Sequence, residues 1–111
     1  MNTRNVRDQQ ESLEEALRKL VVAYSPERVY LFGSTARGDT SGNSDFDLMI
    51  IVPDDVNPER KRSRLGYMAL RGTGTAADIL VWTKKYFDDR VHLKASLPAT
   101  ILREGELLYA S

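Results

Sequence analysis

The chain has 111 residues, of which 41% are hydrophobic and 29% are charged, as is usual for a globular domain. Its 16 basic residues balance its 16 acidic residues, which argues against a protein whose main task is to bind nucleic acid or an anionic membrane. The absence of cysteine excludes disulfides, zinc–thiolate sites and a cysteine nucleophile. Without a signal peptide or an apolar run long enough for a membrane span, we expect one cytoplasmic domain over residues 1–111.

The first half of the chain predicts a helix followed by two strands. An apolar stripe with helical spacing is formed by Leu13, Ala16, Leu17, Leu20, Val21 and Tyr24. Because the residue before a proline avoids the helical region, this helix should end at Ser25-Pro26. A strand over 28–32 should lead into Gly33-Ser34 and a helical turn, and the composition of 38–44 indicates a loop. The run 46–52 predicts a second strand, buried on both faces in its later half.

The second half continues the alternation of helices and strands. Asn57-Pro58 is a typical helix start, and that helix should reach about Leu70, with Gly72 just past its end. Its basic residues, between 60 and 64, should form a solvated surface. The remaining expected elements are a strand over 76–82, a short helix capped by Thr83, a helix near 97–103 and an edge strand over 107–109. This order predicts a sheet covered by helices.

Asp45 and Asp47 are the first candidate for a chemical site. Residues two apart in a strand project from the same face, so the two carboxylates should lie side by side. Like charges at that distance repel unless a cation lies between them. Carboxylate oxygens suit Mg²⁺ or Mn²⁺. A solvated pair at the start of a strand is the alternative, and this motif alone does not decide between them.

Two further positions extend this candidate. Gly33 and Ser34 lie where a strand gives way to a helical turn, a place that can cradle phosphate or simply be a capped turn. Asp78 stands in an otherwise apolar strand, where an acidic residue is costly unless it is paired or metal-bound. If that strand lies beside 46–52, Asp78 can complete a cluster of three carboxylates. Otherwise it is an aspartate in a salt bridge.

Together these residues read Gly-Ser-x10-Asp-x-Asp, the signature of nucleotidyltransferases of the DNA polymerase beta superfamily. The segment LFGSTARGDTSGNSDFDLMIIV closely resembles the minimal nucleotidyltransferase (MNT) family. Arg37 fits the Ala-Arg-Gly that follows Gly-Ser in that family, and Asp78 fits its third acidic position. The resemblance spans nearly the whole chain. It implies an α/β, polymerase-beta-like nucleotidyltransferase fold, with a small mixed sheet covered by helices.

The resemblance also implies roles for the matching residues. Gly33 and Ser34 would hold the β- and γ-phosphates of an NTP, with Arg37 beside them. Asp45 and Asp47 would bind two Mg²⁺ ions, with Mn²⁺ as a possible substitute. Asp78 would bind the catalytic metal and take the proton of the acceptor hydroxyl, so that attack on the α-phosphorus releases pyrophosphate.

Among the functions that the resemblance implies, the leading hypothesis is an antitoxin. MNT antitoxins pair with a helical HEPN ribonuclease toxin and adenylylate one of its tyrosines, with ATP as the co-substrate. A chain limited to the catalytic core would need its acceptor site from another protein. The two alternatives are a nucleotidyltransferase for a small molecule and an antitoxin that acts by binding alone. Neither direct nucleic-acid binding nor membrane binding is expected, and the base of the NTP is not readable from the sequence.

Overall fold

The computed structural model describes residues 6–33 and 46–111 of the chain. The helices are α1 (Val6–Tyr24), α2 (Ser63–Ala69), α3 (Lys84–Asp88) and α4 (Leu97–Glu104), and a 3₁₀ helix spans Pro58–Lys61. The strands are β1 (Arg28–Phe32), β2 (Phe46–Val52), β3 (Ala77–Thr83) and β4 (Glu106–Ala110). No helix within the described ranges is long and apolar enough to cross a membrane.

The four strands form one mixed sheet in the order β3-β2-β1-β4. β1 is antiparallel to both β2 and β4, whereas β2 and β3 are parallel. The end of β1 therefore meets the beginnings of β2 and β3 at the same end of the sheet. The predicted mixed sheet covered by helices is confirmed, and β4 is the expected edge strand.

Successive side chains of each strand point to opposite faces of the sheet, and each face has its own core. On one face, alternate residues of β2 from Phe46 to Val52 pack with α1 and α2, around Leu20 and Tyr24. On the other face, Met49 and Ile51 pack with Phe87 of α3 and Ile101 of α4. We call these the α1/α2 face and the α3/α4 face.

The predicted helix from Asn57 to Leu70 is wrong in one respect, because the segment is divided in two. Asn57 caps the 3₁₀ helix as expected, since its side chain accepts a hydrogen bond from the backbone N–H of Arg60 at 3.1 Å. Arg62 is then extended, with φ −110° and ψ 143°, before α2 begins. Its carbonyl accepts a hydrogen bond from the Tyr24 hydroxyl at 2.5 Å, a distant contact that local sequence does not encode.

The other element predictions agree closely with the structure. β1 and β2 have the predicted bounds, and β3 is displaced by one residue from 76–82. Thr83 caps α3 by accepting a hydrogen bond from the backbone N–H of Tyr86 at 3.2 Å. The helical turn expected after Gly33 and the loop expected over 38–44 lie outside the described residues.

Candidate functional site

The sheet register brings two of the predicted carboxylates together. Asp47 is the second residue of β2, and Asp78 is its direct partner in the parallel strand β3. Neighbouring strands lie about 4.8 Å apart, and paired residues project from the same face of the sheet. The condition set for Asp78, that its strand lies beside 46–52, is therefore met, and the cluster of three carboxylates stays a prediction. Asp45 lies outside the described residues.

Gly33 completes this end of the sheet. It directly follows Phe32, which is the partner of Asp47 in the antiparallel pairing of β1 with β2. Its φ of 80° is in the left-handed region that favours glycine. A Cβ atom at this position would overlap Oδ2 of Asp47 and would lie 3.1 Å from the carboxyl carbon Cγ. The positive φ therefore favours glycine, and any side chain at this position would displace the Asp47 carboxylate.

Asp78 is exposed, which corrects the expectation of a costly buried carboxylate. Ala77, Ile79 and Val81 point to the α1/α2 face and pack there, whereas Asp78 and Leu80 point to the opposite face. Leu80 is also exposed, at 38%, and only Trp82 at the end of β3 packs against the α3/α4 core. The carboxylate therefore needs no buried partner, and it is open to a ligand from solution.

Among the described residues, the α3/α4 face is consequently covered at one end and open at the other. Trp82 and Phe87 close the end of β3, with ring centroids 6.4 Å apart, and Arg28 anchors α3 through a 2.9 Å contact with Asp88. At the opposite end lie the exposed Asp78 and the half-buried Asp47. Within 6–33 and 46–111, the site is a corner of the sheet where the carboxylates of Asp47 and Asp78 meet the Gly33 backbone.

The two carboxylates in this corner fit a divalent cation. Two carboxylates on adjacent strands provide the oxygen ligands that Mg²⁺ prefers, and Mg²⁺ commonly takes only one or two protein carboxylates together with phosphates. Within 6–33 and 46–111, no three acidic or histidine side chains form a metal-binding group. The predicted third carboxylate, Asp45, and the predicted phosphate ligands Ser34 and Arg37 lie outside those ranges.

Two groups of basic residues have structural contacts. Arg60 was expected on a solvated surface, but its guanidinium donates to the carbonyl of Tyr24, with Nε at 3.1 Å, and so closes the end of α1. Lys84 and Lys85 form i,i+4 ion pairs along α3 with Asp88 at 3.6 Å and Asp89 at 3.0 Å. Neither group is brought to the Asp47–Asp78 corner.

Sequence analysis missed one residue that borders the site. The hydroxyl of Tyr67, in α2, accepts a hydrogen bond from the backbone N–H of Ile79 at 3.1 Å. Ile79 directly follows Asp78, so this contact holds the peptide unit on which the carboxylate is carried. The only signal in the sequence is an aromatic residue directly after Gly66, which is too common to indicate a site.

Comparison with known proteins gives a consistent family. Residues 11–107 match the family model described as "Nucleotidyltransferase domain", which is most of the chain. No curated protein matches the chain significantly.

Several solved structures share the fold. A toxin–antitoxin complex with AMP-PNP aligns at a TM-score of 0.56 and 19% identity, over 88% of this chain and 73% of that one. A variant of the MntA–HpeT toxin–antitoxin complex aligns at 0.55 and 17% identity, with the same coverage of 88% and 73%. A putative nucleotidyltransferase aligns at 0.55 and 22% identity, over 87% of this chain and 97% of that one. At these identities the likeness establishes the fold.

Proposed function

The chain belongs to the nucleotidyltransferase domain family, and we propose that it is an antitoxin that transfers AMP from ATP to a tyrosine of a helical HEPN-type toxin. The observation that carries the chemistry is the pairing of Asp47 with Asp78 beside the Gly33 turn. The antitoxin role is supported by the shared fold of toxin–antitoxin complexes, one of which contains the ATP analogue AMP-PNP.

In the proposed reaction, the tyrosine oxygen attacks the α-phosphorus of ATP. A bond forms between that oxygen and the α-phosphorus, the bond to the bridging oxygen of the β-phosphate breaks, and pyrophosphate leaves. The carboxylate of Asp78 takes the proton of the tyrosine hydroxyl. The products are an AMP–tyrosine phosphodiester and pyrophosphate, and no oxidant or reductant is needed.

The chain's residues have distinct tasks in this proposal. Asp47 and Asp45 hold the two Mg²⁺ ions, and Asp78 is a further ligand. Gly33 and Ser34 receive the β- and γ-phosphates, with Arg37 beside them, and Gly33 leaves room next to Asp47 because it has no side chain. When bound, the metal ions offset the negative charge on the attacking and leaving oxygens. Positioning and charge stabilisation then account for most of the catalysis.

The exposure of Asp78 favours a large acceptor. β3 is an edge strand, and both Asp78 and Leu80 are open to solvent on the face that projects toward the proposed nucleotide. A hydroxyl carried on the surface of another protein can reach such a corner without entering a deep cavity. We therefore place the toxin tyrosine over the beginning of β3.

The test is incubation of the purified chain with ATP, Mg²⁺ and the product of the adjacent reading frame, which the proposal expects to be a helical protein, followed by intact-mass measurement. The wild type should add one or more AMP groups to the partner, and peptide mapping should locate them on tyrosine. The Asp47→Asn/Asp78→Asn double variant should still bind the partner, because both changes are nearly isosteric, but should leave its mass unchanged. Ile50→Val, a conservative change in the α1/α2 core, is the control and should retain transfer.

Three results would each contradict part of the proposal. Equal protection of cells by the double variant and the wild type would mean neutralisation by binding alone. Transfer to small hydroxyl compounds, with no co-purifying protein and no protein gaining mass, would identify a small-molecule nucleotidyltransferase. Transfer by the double variant at the wild-type rate would refute the catalytic site itself.

A further inference from the structure

We propose that Tyr67 is a positioning residue, which holds the Asp78 carboxylate in register opposite Asp47. This inference rests on the proposed function, because it assigns Tyr67 to the same metal site. The carrying observation is the 3.1 Å hydrogen bond from the backbone N–H of Ile79 to the Tyr67 hydroxyl.

The position of that N–H in the sheet explains why it needs a partner. β3 is an edge strand with β2 on one side only. In a parallel pair, the N–H groups of alternate residues point away from the neighbouring strand. The N–H of Ile79 points away from β2 and belongs to the peptide bond whose carbonyl carbon is that of Asp78. The Tyr67 hydroxyl thus takes the place that another strand would fill, directly beside the carboxylate-bearing residue.

The surrounding structure holds the backbone from which Tyr67 projects. The preceding residue, Gly66, packs so closely that a Cβ there would lie 2.8 Å from Cδ1 of Ile79. The backbone N–H of Gly66 donates to the Tyr24 hydroxyl at 2.7 Å, and Tyr24 is fully buried in α1. The middle of α2 is therefore held against α1 on one side and against β3 on the other, directly before Tyr67.

Asp78 and Ile79 share a peptide bond, but their side chains lie on opposite faces of the sheet. The Ile79 side chain is buried in the α1/α2 core, at 3% exposure, and the Asp78 carboxylate is exposed on the opposite face. The parallel pairing with β2 holds the carbonyl side of this shared peptide, and its outward N–H side is free to rotate about the strand unless it has a partner. The hydroxyl of Tyr67 restrains that rotation and, with it, the direction of the Asp78 carboxylate.

The experiment compares Tyr67→Phe with Tyr86→Phe. Both tyrosines are 46% exposed, but Tyr86 lies on α3, where its ring packs against Trp82 at 4.8 Å. Mn²⁺ binding is measured by electron paramagnetic resonance in the presence of AMP-PNP, and kcat and KM are measured in the transfer assay. Asp78→Asn and the Asp78→Asn/Tyr67→Phe double variant complete a cycle. Thermal unfolding of each variant confirms that it is folded at the assay temperature.

Tyr67→Phe should weaken Mn²⁺ binding about three- to tenfold, less than the loss typical of a partner bonded directly to a ligand. It should lower kcat by a similar factor, with KM for ATP nearly unchanged, whereas Tyr86→Phe should match the wild type. In the Asp78→Asn background, Tyr67→Phe should cause no further loss of Mn²⁺ affinity, because its effect passes through the carboxylate.

The proposal is overturned if Tyr67→Phe binds Mn²⁺ as tightly as Tyr86→Phe, or if it weakens binding equally with and without the Asp78 carboxylate. If Asp78→Asn itself keeps wild-type Mn²⁺ affinity, the metal site of the proposed function is wrong, and the positioning role is wrong with it. If Asp78→Asn weakens Mn²⁺ binding but Tyr67→Phe leaves it unchanged, the positioning role alone is wrong and the metal site stands.

Discussion

The α1/α2 face buries side chains from the beginning of β2 to its end, whereas the α3/α4 face is covered at one end and open at the other. The same strand supplies both faces, so Asp47 and Leu48 are neighbours in sequence with opposite surroundings. α1 has 19 residues and α3 has five, and the longer helix covers more of the sheet. The contrast teaches that stability and the proposed chemistry are carried by alternate residues of one strand.

The largest expected effects test that separation directly. Asp47→Asn should lower the transfer rate by at least about 10²- to 10³-fold, because a ligand and its charge are lost from the site. Its free energy of unfolding should stay within about 1 kcal/mol of the wild type, as for most changes outside the core. Leu48→Ala should do the opposite, costing about 2–5 kcal/mol of stability through the cavity it leaves in the α1/α2 core.

The measurements are steady-state transfer and urea unfolding of both variants. The separation fails if Leu48→Ala, assayed where it is fully folded, loses as much activity as Asp47→Asn. It also fails if Asp47→Asn is the less stable of the two.

Gly33 sharpens the comparison, because the effect of its left-handed backbone can be measured apart from the effect of its closeness to the Asp47 carboxylate. Gly33 and Gly72 both have φ of 80°, but a Cβ at Gly72 would meet nothing within 4 Å. Both alanine variants should lose about 1–2 kcal/mol of stability from the left-handed backbone. Only Gly33→Ala should also displace the Asp47 carboxylate, and we expect transfer to fall about a hundredfold from that misplacement.

Calorimetry with AMP-PNP and the transfer assay distinguish the two glycine variants. Equal activity in Gly33→Ala and Gly72→Ala would mean that the close approach of Gly33 to Asp47 has no part in the site.

Tyr24 provides a pH test of burial in the α1/α2 face. Burial raises the pKa of Tyr24 to about 12, and the bond from the Gly66 N–H lowers it only in part. The unfolded chain loses this proton near pH 10, so the folded state binds more protons between the two pKa values. The contribution of Tyr24 to stability is therefore constant below about pH 10 and falls by roughly 2–3 kcal/mol as the pH rises to about 12.

Tyr24→Phe removes this pH dependence but also removes two hydrogen bonds, to Gly66 and Arg62. It should be about 1–3 kcal/mol less stable than the wild type at about pH 8, since a buried N–H loses its partner. By about pH 12 the difference should have vanished. Urea unfolding at both pH values measures it, and a gap that persists at high pH would show that Tyr24 ionises at its ordinary pKa when folded.

The strands of this fold were predictable because their sequences are locally consistent. The runs 28–32 and 46–52 are dense in β-branched, aromatic and aliphatic residues between turn signals, and both bounds were correct. The pairing of Asp47 with Asp78 could be stated only as a condition, since strand order is a property of the whole chain. The family match over 11–107 agrees with the family that the Gly-Ser and Asp-x-Asp motifs indicated.

What could not be predicted depends on contacts between distant residues. The break at Arg62 involves Tyr24, which is 38 residues away, and the role of Tyr67 involves Ile79, which is 12 residues away. The exposure of Asp78 depends on where α3 and α4 end, because the same alternating strand would bury it under a longer helix. Periodicity indicates which residues share a face, but not how far that face is covered.

The smallest predicted effect concerns the covered end of the α3/α4 face. Asp88 pairs with Arg28 at 2.9 Å and Asp89 pairs with Lys85 at 3.0 Å, but only 22% of the Arg28 side chain is exposed, against 74% for Lys85. Burial alone would lower the pKa of Arg28, but hydrogen bonds to Asp88 and Tyr30 raise it above its ordinary value. Asp88→Asn should cost about 0.5–1 kcal/mol of stability, and Asp89→Asn should cost less than about 0.5 kcal/mol. The Asp88 pair should also resist screening by salt better than the exposed pair does.

Urea unfolding of both variants at low and high ionic strength measures this difference. Transfer should be unchanged in both, because neither residue lies at the open end of the face. Loss of transfer in Asp88→Asn alone would mean that the covered and open ends are coupled through α3, and the division between them would then be wrong.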